Sequence, residues 1–159
     1  LNVRGGFISI ETTRRCFPGA ITFVVLSKTA KYVHEHAHRD VKTSNLTLTE
    51  FGVLDLLYHK GSFPIQKIRE HILVSSGSTT YVIDKLEKKG LLSRNPCPQD
   101  RRVIYATLTP EGKKLFEQLF PSHREVISRA VEVLNPEEIE QLIRLLKKLG
   151  RSAKEKLEK

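Results

Sequence analysis

Within six residues the chain sets Ser76, Ser78, Thr80 and Tyr81, and Lys85 and Lys88 follow at helical spacing. Hydroxyl and phenol groups donate and accept hydrogen bonds and so can meet base edges, while lysine ammonium groups pair with phosphate oxygens. A second set lies further on: Arg94, then Asp100, Arg101 and Arg102. Arginine is drawn into the negative potential of a narrow minor groove, and a carboxylate two residues away can hold the Arg102 guanidinium in one orientation. Arg94 and Arg101 suit phosphate. Solubility alone would account for the hydroxyls, and a plain surface ion pair for Asp100 with Arg102. Charge favours a polyanion partner: the 159 residues carry 27 Lys or Arg against 18 Asp or Glu, a net charge of +9. Residues 62–109 alone hold eight basic against four acidic side chains.

Other reactive side chains offer less. Cys97 sits between two prolines near Arg94, Arg101 and Arg102, cations that favour thiolate, so it is a redox candidate, and Cys16 beside Arg14 and Arg15 is a second. With no C-x-x-C pair, two cysteines exclude a disulfide framework or zinc ribbon, and a reducing, cytoplasmic setting is expected. His34 and His38, four apart with His36 between them, could share a zinc or copper ion, but no acid or cysteine completes the set. No metal or cofactor is expected. Nor does the chain contain a nucleophile elbow, a phosphate-cradling glycine loop or a paired-carboxylate motif, so no catalytic residue is assigned. The apolar run from Ala20 to Leu26 is too short for a bilayer, and no small-residue cleavage site follows it.

The elements that would position these residues follow from periodicity. Residues 1–19 show no sustained pattern and form a poorly defined lead-in. Phe23, Leu26, Ala30, Val33 and Ala37 recur at three and four, predicting a long first helix from Ala20 to about Ser44. Thr47 and Glu50 have capping-box spacing before a helix that buries Phe51, Leu54 and Leu57 or Tyr58, with Gly61 as its stop. A short helix from Pro64 to His71 should place proline at its first position. After a turn, residues 75–89 put Thr79, Val82, Ile83 and Leu86 on one stripe and the polar set elsewhere, and Gly90 closes the helix. At 1.5 Å per residue this rod measures roughly 22 Å, enough to lie along a major groove. Two short helices, a tight connection and a polar-faced second helix make a helix-turn-helix.

Beyond Gly90 the period falls to two on either side of the turn Pro98-Gln99-Asp100-Arg101, predicting a β-hairpin with arginines at its tip. Thr109-Pro110-Glu111 and Asn135-Pro136-Glu137-Glu138 carry helix-start chemistry. The helix that begins at Pro110 should run to about Leu134, with Pro121 kinking or interrupting it. The last helix carries Ile139, Leu142, Ile143, Leu146 and Leu149, more apolar surface than a domain of this size can cover, which suggests that a second copy completes the core.

Three stretches resemble the MarR family of winged-helix transcription regulators: Leu48-Thr49-Glu50-Phe51-Gly52-Val53-Leu54, the run from Ser78 to Leu91, and Asp100-Arg101-Arg102 followed by Leu108-Thr109-Pro110-Glu111-Gly112. Residues 57–61 and 95–98 are most similar to the branch of that family associated with hydroquinone and quinone stress. The resemblance implies a mainly α fold with a small β-hairpin wing, divided as an N-terminal dimerisation helix (20–46), a winged helix-turn-helix (47–109) and C-terminal dimerisation helices with a charged tail (110–159). It further implies a homodimer on double-stranded operator DNA, acting as a repressor released by a small phenolic or oxidant. The family's ligand pocket, where the dimer helices meet the winged domain, could be lined by Tyr32, His36, Tyr58, Phe116 and Phe120, although core packing explains each equally well. The opposing readings are a winged domain that grips another protein and, further off, an enzyme using its histidines.

Overall fold

The computed structural model describes residues 17–72 and 79–158. Six helices and three short strands follow in the order α1 (Pro18–Lys42), α2 (Leu48–Lys60), β1 (Phe63–Pro64), α3 (Ile65–His71), α4 (Thr79–Lys88), β2 (Leu92–Pro96), β3 (Ile104–Leu108), α5 (Pro110–Val131) and α6 (Pro136–Leu157). The molecule is mainly α with a three-stranded antiparallel sheet, a winged helix-turn-helix flanked by long helices.

Local chemistry sets most boundaries. Thr47 and Glu50 form a reciprocal capping box at the start of α2, and Asn135 with Glu138 does the same for α6. Gly90 ends α4 at φ +70°, with its N–H on the Glu87 carbonyl (2.8 Å) and the Leu91 N–H on the Leu86 carbonyl (3.0 Å), the double bond pattern of a Schellman turn. Thr109 joins two elements: its hydroxyl accepts from the Gly112 N–H at the head of α5 and donates 2.6 Å to the Gly90 carbonyl at the tail of α4.

The core lies where α2, α3, α4 and α5 meet the sheet. Val53, Leu54, Ile68, Ile83, Leu86, Ala106 and Phe116 are wholly excluded from solvent there. A polar tie joins α1 to this core: His123 of α5 lies 2.8 Å from the Asp40 carboxylate of α1, and its ring packs at a tilt against Phe51 of α2, centroids 4.3 Å apart. Lys89, just past α4, reaches the buried Glu50 carboxylate and the Asn45 carbonyl, both at 3.0 Å, and so fastens the end of α4 to the start of α2.

Two expectations need correction. Pro64 does not open a helix; it is extended (φ −62°, ψ 126°) and pairs opposite Tyr105, so the hairpin becomes a sheet in the order β1-β3-β2. An edge strand tolerates proline because its missing N–H would face away from the neighbouring strand. Pro121 does not interrupt α5, which runs unbroken through it. The loss is confined to one intrahelical donor, and packing of the flanking turns against α1 and α2 outweighs it.

Candidate nucleic-acid interface

The amphipathic rod at the centre of the site is α4. Val82, Ile83 and Leu86 are buried, while Thr80, Tyr81, Lys85 and Lys88 are exposed on the other side. Tyr81 is 59% exposed, a large apolar ring left in solvent, and the Lys85 ammonium lies 5.2 Å from its centroid. That cation–π contact gathers aromatic and positive character at one place on the helix. Ser76 and Ser78 lie outside the described residues.

Beside α4 stands the wing. Strands β2 and β3 pair from Leu92↔Leu108 to Pro96↔Ile104, and their connecting turn is closed by Cys97 N–H to Val103 carbonyl and Val103 N–H to Asp100 carbonyl, both 2.9 Å. At its tip the Asp100 carboxylate accepts from the Arg102 backbone N–H (3.0 Å), Nε (3.1 Å) and Nη2 (3.3 Å). Hydrogen bonds from the Arg102 side chain and backbone hold the Asp100 carboxyl pKa below its ordinary value. The Arg102 side chain is nonetheless 91% exposed, an oriented guanidinium with free donors. Arg101 beside it is exposed as well.

Arg94, expected to suit phosphate, is engaged within the chain. Its guanidinium turns inward to the carboxylates of Asp84 and Glu87, one turn apart on α4, leaving the side chain 29% exposed. Sequence reading missed this arrangement, although two acids three apart on a helix otherwise facing a polyanion were a signal that a cation must cover them. Gln66 of α3 was also missed: its Nε2 donates 3.2 Å to the Arg102 carbonyl. No local pattern could have indicated that bond, which spans thirty-six residues.

The proposed ligand set is only partly assembled. Tyr58, Phe116 and Phe120 come together, with ring centroids 4.7 and 5.2 Å apart, and the Tyr58 hydroxyl donates to Glu117, which raises its pKa. Phe116 is fully buried with its ring centroid 5.4 Å from that of Phe51, so the cluster is contiguous with the core. Tyr32 and His36 are exposed on α1, as are His34 and His38. Cys97 is half-buried, its thiol 3.2 Å from the Gln99 side-chain oxygen, and Cys16 lies outside the described residues.

A helix with a hydroxyl, phenol and lysine face, flanked by a hairpin that extends an oriented arginine, defines a winged helix-turn-helix DNA-binding module. Residues 46–104 match the model of the MarR family. The chain is 44% identical over 133 residues to the HTH-type transcriptional regulator MhqR of Bacillus subtilis (strain 168), covering 84% of this chain and 92% of that one. Its fold superposes with a TM-score of 0.79 on AbsC, a MarR family transcriptional regulator from Streptomyces coelicolor, at 18% identity and over 94% and 99% of the two chains. BpsR of Bordetella bronchiseptica, whose DNA binding is regulated by 6-hydroxynicotinic acid, superposes with a TM-score of 0.72 at 26% identity over 79% and 90%. The protein belongs to the MarR family of transcription regulators, DNA-binding proteins and not enzymes. Among the described residues no helix is long and apolar enough to cross a membrane.

Proposed function

We propose that the protein is a cytoplasmic, homodimeric repressor that binds a pseudo-palindromic operator and leaves it in response to a small phenolic, quinone-like or oxidant signal. Ser76, Ser78, Thr80 and Tyr81 read or grip the major groove, Lys85, Lys88 and Arg101 pair with phosphates, and Arg102, oriented by Asp100, enters the minor groove. One observation carries this reading: the Arg102 side chain is pinned to Asp100 by two hydrogen bonds yet 91% exposed, at the tip of a wing whose strand β2 packs against α4. Holding the side chain in place reduces the entropy that insertion would otherwise cost.

Support for the dimer comes from α6, which buries none of its 22 residues within the chain while Leu142, Ile143, Leu145, Leu146 and Leu149 are each 40–51% exposed. Phe23, Val24, Val25 and Leu26 of α1 are exposed too. Two-fold pairing would set the two α4 helices about 34 to 36 Å apart, one turn of DNA. For the signal, the similarity of residues 57–61 and 95–98 to the hydroquinone-associated branch favours a phenol or quinone. The signal would act at the junction of α1, α2 and α5 near Tyr32, His36, Tyr58, Phe116 and Phe120, or through Cys97 and Cys16.

The test is selection of bound fragments from genomic DNA, followed by mobility shifts. Arg102→Ala should weaken binding more than tenfold with the helical signal intact; an unchanged shift refutes the DNA role. If the dimer neutralises about eight phosphates, log affinity should fall against log salt with a slope near −7. Release trials with phenols, quinones and peroxides, on wild type and on a variant lacking both thiols, separate ligand from thiol sensing.

A further inference from the structure

Two contacts tie the wing to the helix-turn-helix. From β2, Arg94 reaches Asp84 and Glu87 of α4; from α3, Gln66 donates to the carbonyl of Arg102, the residue whose side chain extends from the tip. Gln66 and Arg94 both line one cleft of about 440 Å³, together with Ile65, Arg69, Thr79, Thr80 and Ile104. We propose that Arg94 and Gln66 are positioning residues: they fix the distance and phase between α4 and Arg102, so that DNA is selected by the separation of its major-groove and minor-groove features. The proposal rests on the DNA-binding role of Arg102 given above.

Leverage is the reason such ties matter. Arg94 sits mid-strand, paired with the buried Ala106 of β3, and core anchoring of the sheet ends at this register, since none of residues 95–105 between them is buried. The four residues from Ala106 to Arg102 span at most roughly 14 Å, so a rotation of about 10° about that register would carry the tip roughly 2.5 Å, about two-fifths of the width of a minor groove. Backbone pairing to β1 involves only Phe63 and Pro64 and cannot by itself hold the tip against such a swing. The ion pair fixes the middle of β2 against α4, and the Gln66 bond fixes the end of the turn against α3. Neutralising Asp84 and Glu87 has a second consequence, since uncovered carboxylates on α4 would repel phosphate.

Arg94→Gln and Gln66→Ala test the proposal, with Arg102→Ala as reference and Arg94→Lys as the conservative variant. Affinity is measured for a selected operator and for derivatives in which the minor-groove segment is moved by one base pair relative to the major-groove contacts. Wild type should lose tenfold or more on the moved sites. Arg94→Gln and Gln66→Ala should reduce that discrimination to threefold or less while their salt slopes stay at the wild-type value, and Arg94→Lys should recover most of it. A phosphate-contacting Arg94 predicts instead a slope shallower by about two per dimer with the spacing preference kept, which would overturn the assignment. A spacing preference retained in either variant overturns it for that residue. Should Arg102→Ala itself leave affinity unchanged, the DNA role has failed and not the positioning alone.

Discussion

Gly112 has no room for a methyl group: a Cβ there would stand 1.9 Å from the Leu91 carbonyl oxygen. The obstacle is backbone, so it cannot swing aside as a side chain would. Gly112→Ala should therefore cost about 1 to 3 kcal/mol or more, read as a lower denaturant midpoint. The close approach explains why threonine and glycine stand three apart after β3, with Thr109 capping the same turn. At Glu50, burial raises the carboxyl pKa, but the Thr47 N–H and the Lys89 ammonium outweigh it and the net shift is downward. A carboxylate depressed on folding stabilises fully above its unfolded pKa and loses that contribution as pH falls through the folded value. The stability difference between wild type and Glu50→Gln should be constant above about pH 5 and shrink below about pH 4, followed by urea titration at stepped pH.

Helix ends are where local sequence spoke most directly. The box at Thr47-Glu50, the helix start at Asn135 and the left-handed stop at Gly90 all formed as their spacing indicated, because each needs only partners within five residues. Strand β1 was not legible: two residues have no period, and Phe63 and Pro64 become a strand only because β3 arrives beside them some forty residues later. Thr109 acts on two elements at once, capping α5 and bonding the carbonyl of Gly90 after α4. Thr109→Val should remove both bonds and cost about 1 to 2 kcal/mol, while Thr109→Ser should keep most of that stability; thermal denaturation of the pair measures it.

Across the whole molecule, the exposed apolar stripe of α6 is the feature a single chain leaves unresolved in energy terms. Leu146→Asp, placed in the middle of that stripe, should shift the protein to monomer in sedimentation experiments and abolish operator binding, since one half-site alone keeps only part of the contacts. A dimer that survives the substitution would locate the interface elsewhere.

Sequence alone determined the helix starts at Thr47, Thr109 and Asn135, the stop at Gly90, the apolar stripe of α4, and the Asp100–Arg102 pair at the wing tip, all products of interactions between residues close in the chain. Tertiary structure decided that Arg94 faces Asp84 and Glu87, that Gln66 holds the Arg102 carbonyl, that His123 meets Asp40, and that Pro64 joins a sheet. A charged or amide side chain takes whichever partner the fold brings within about 3 Å. For these residues the partner lies on another element, and only the packed core sets that distance.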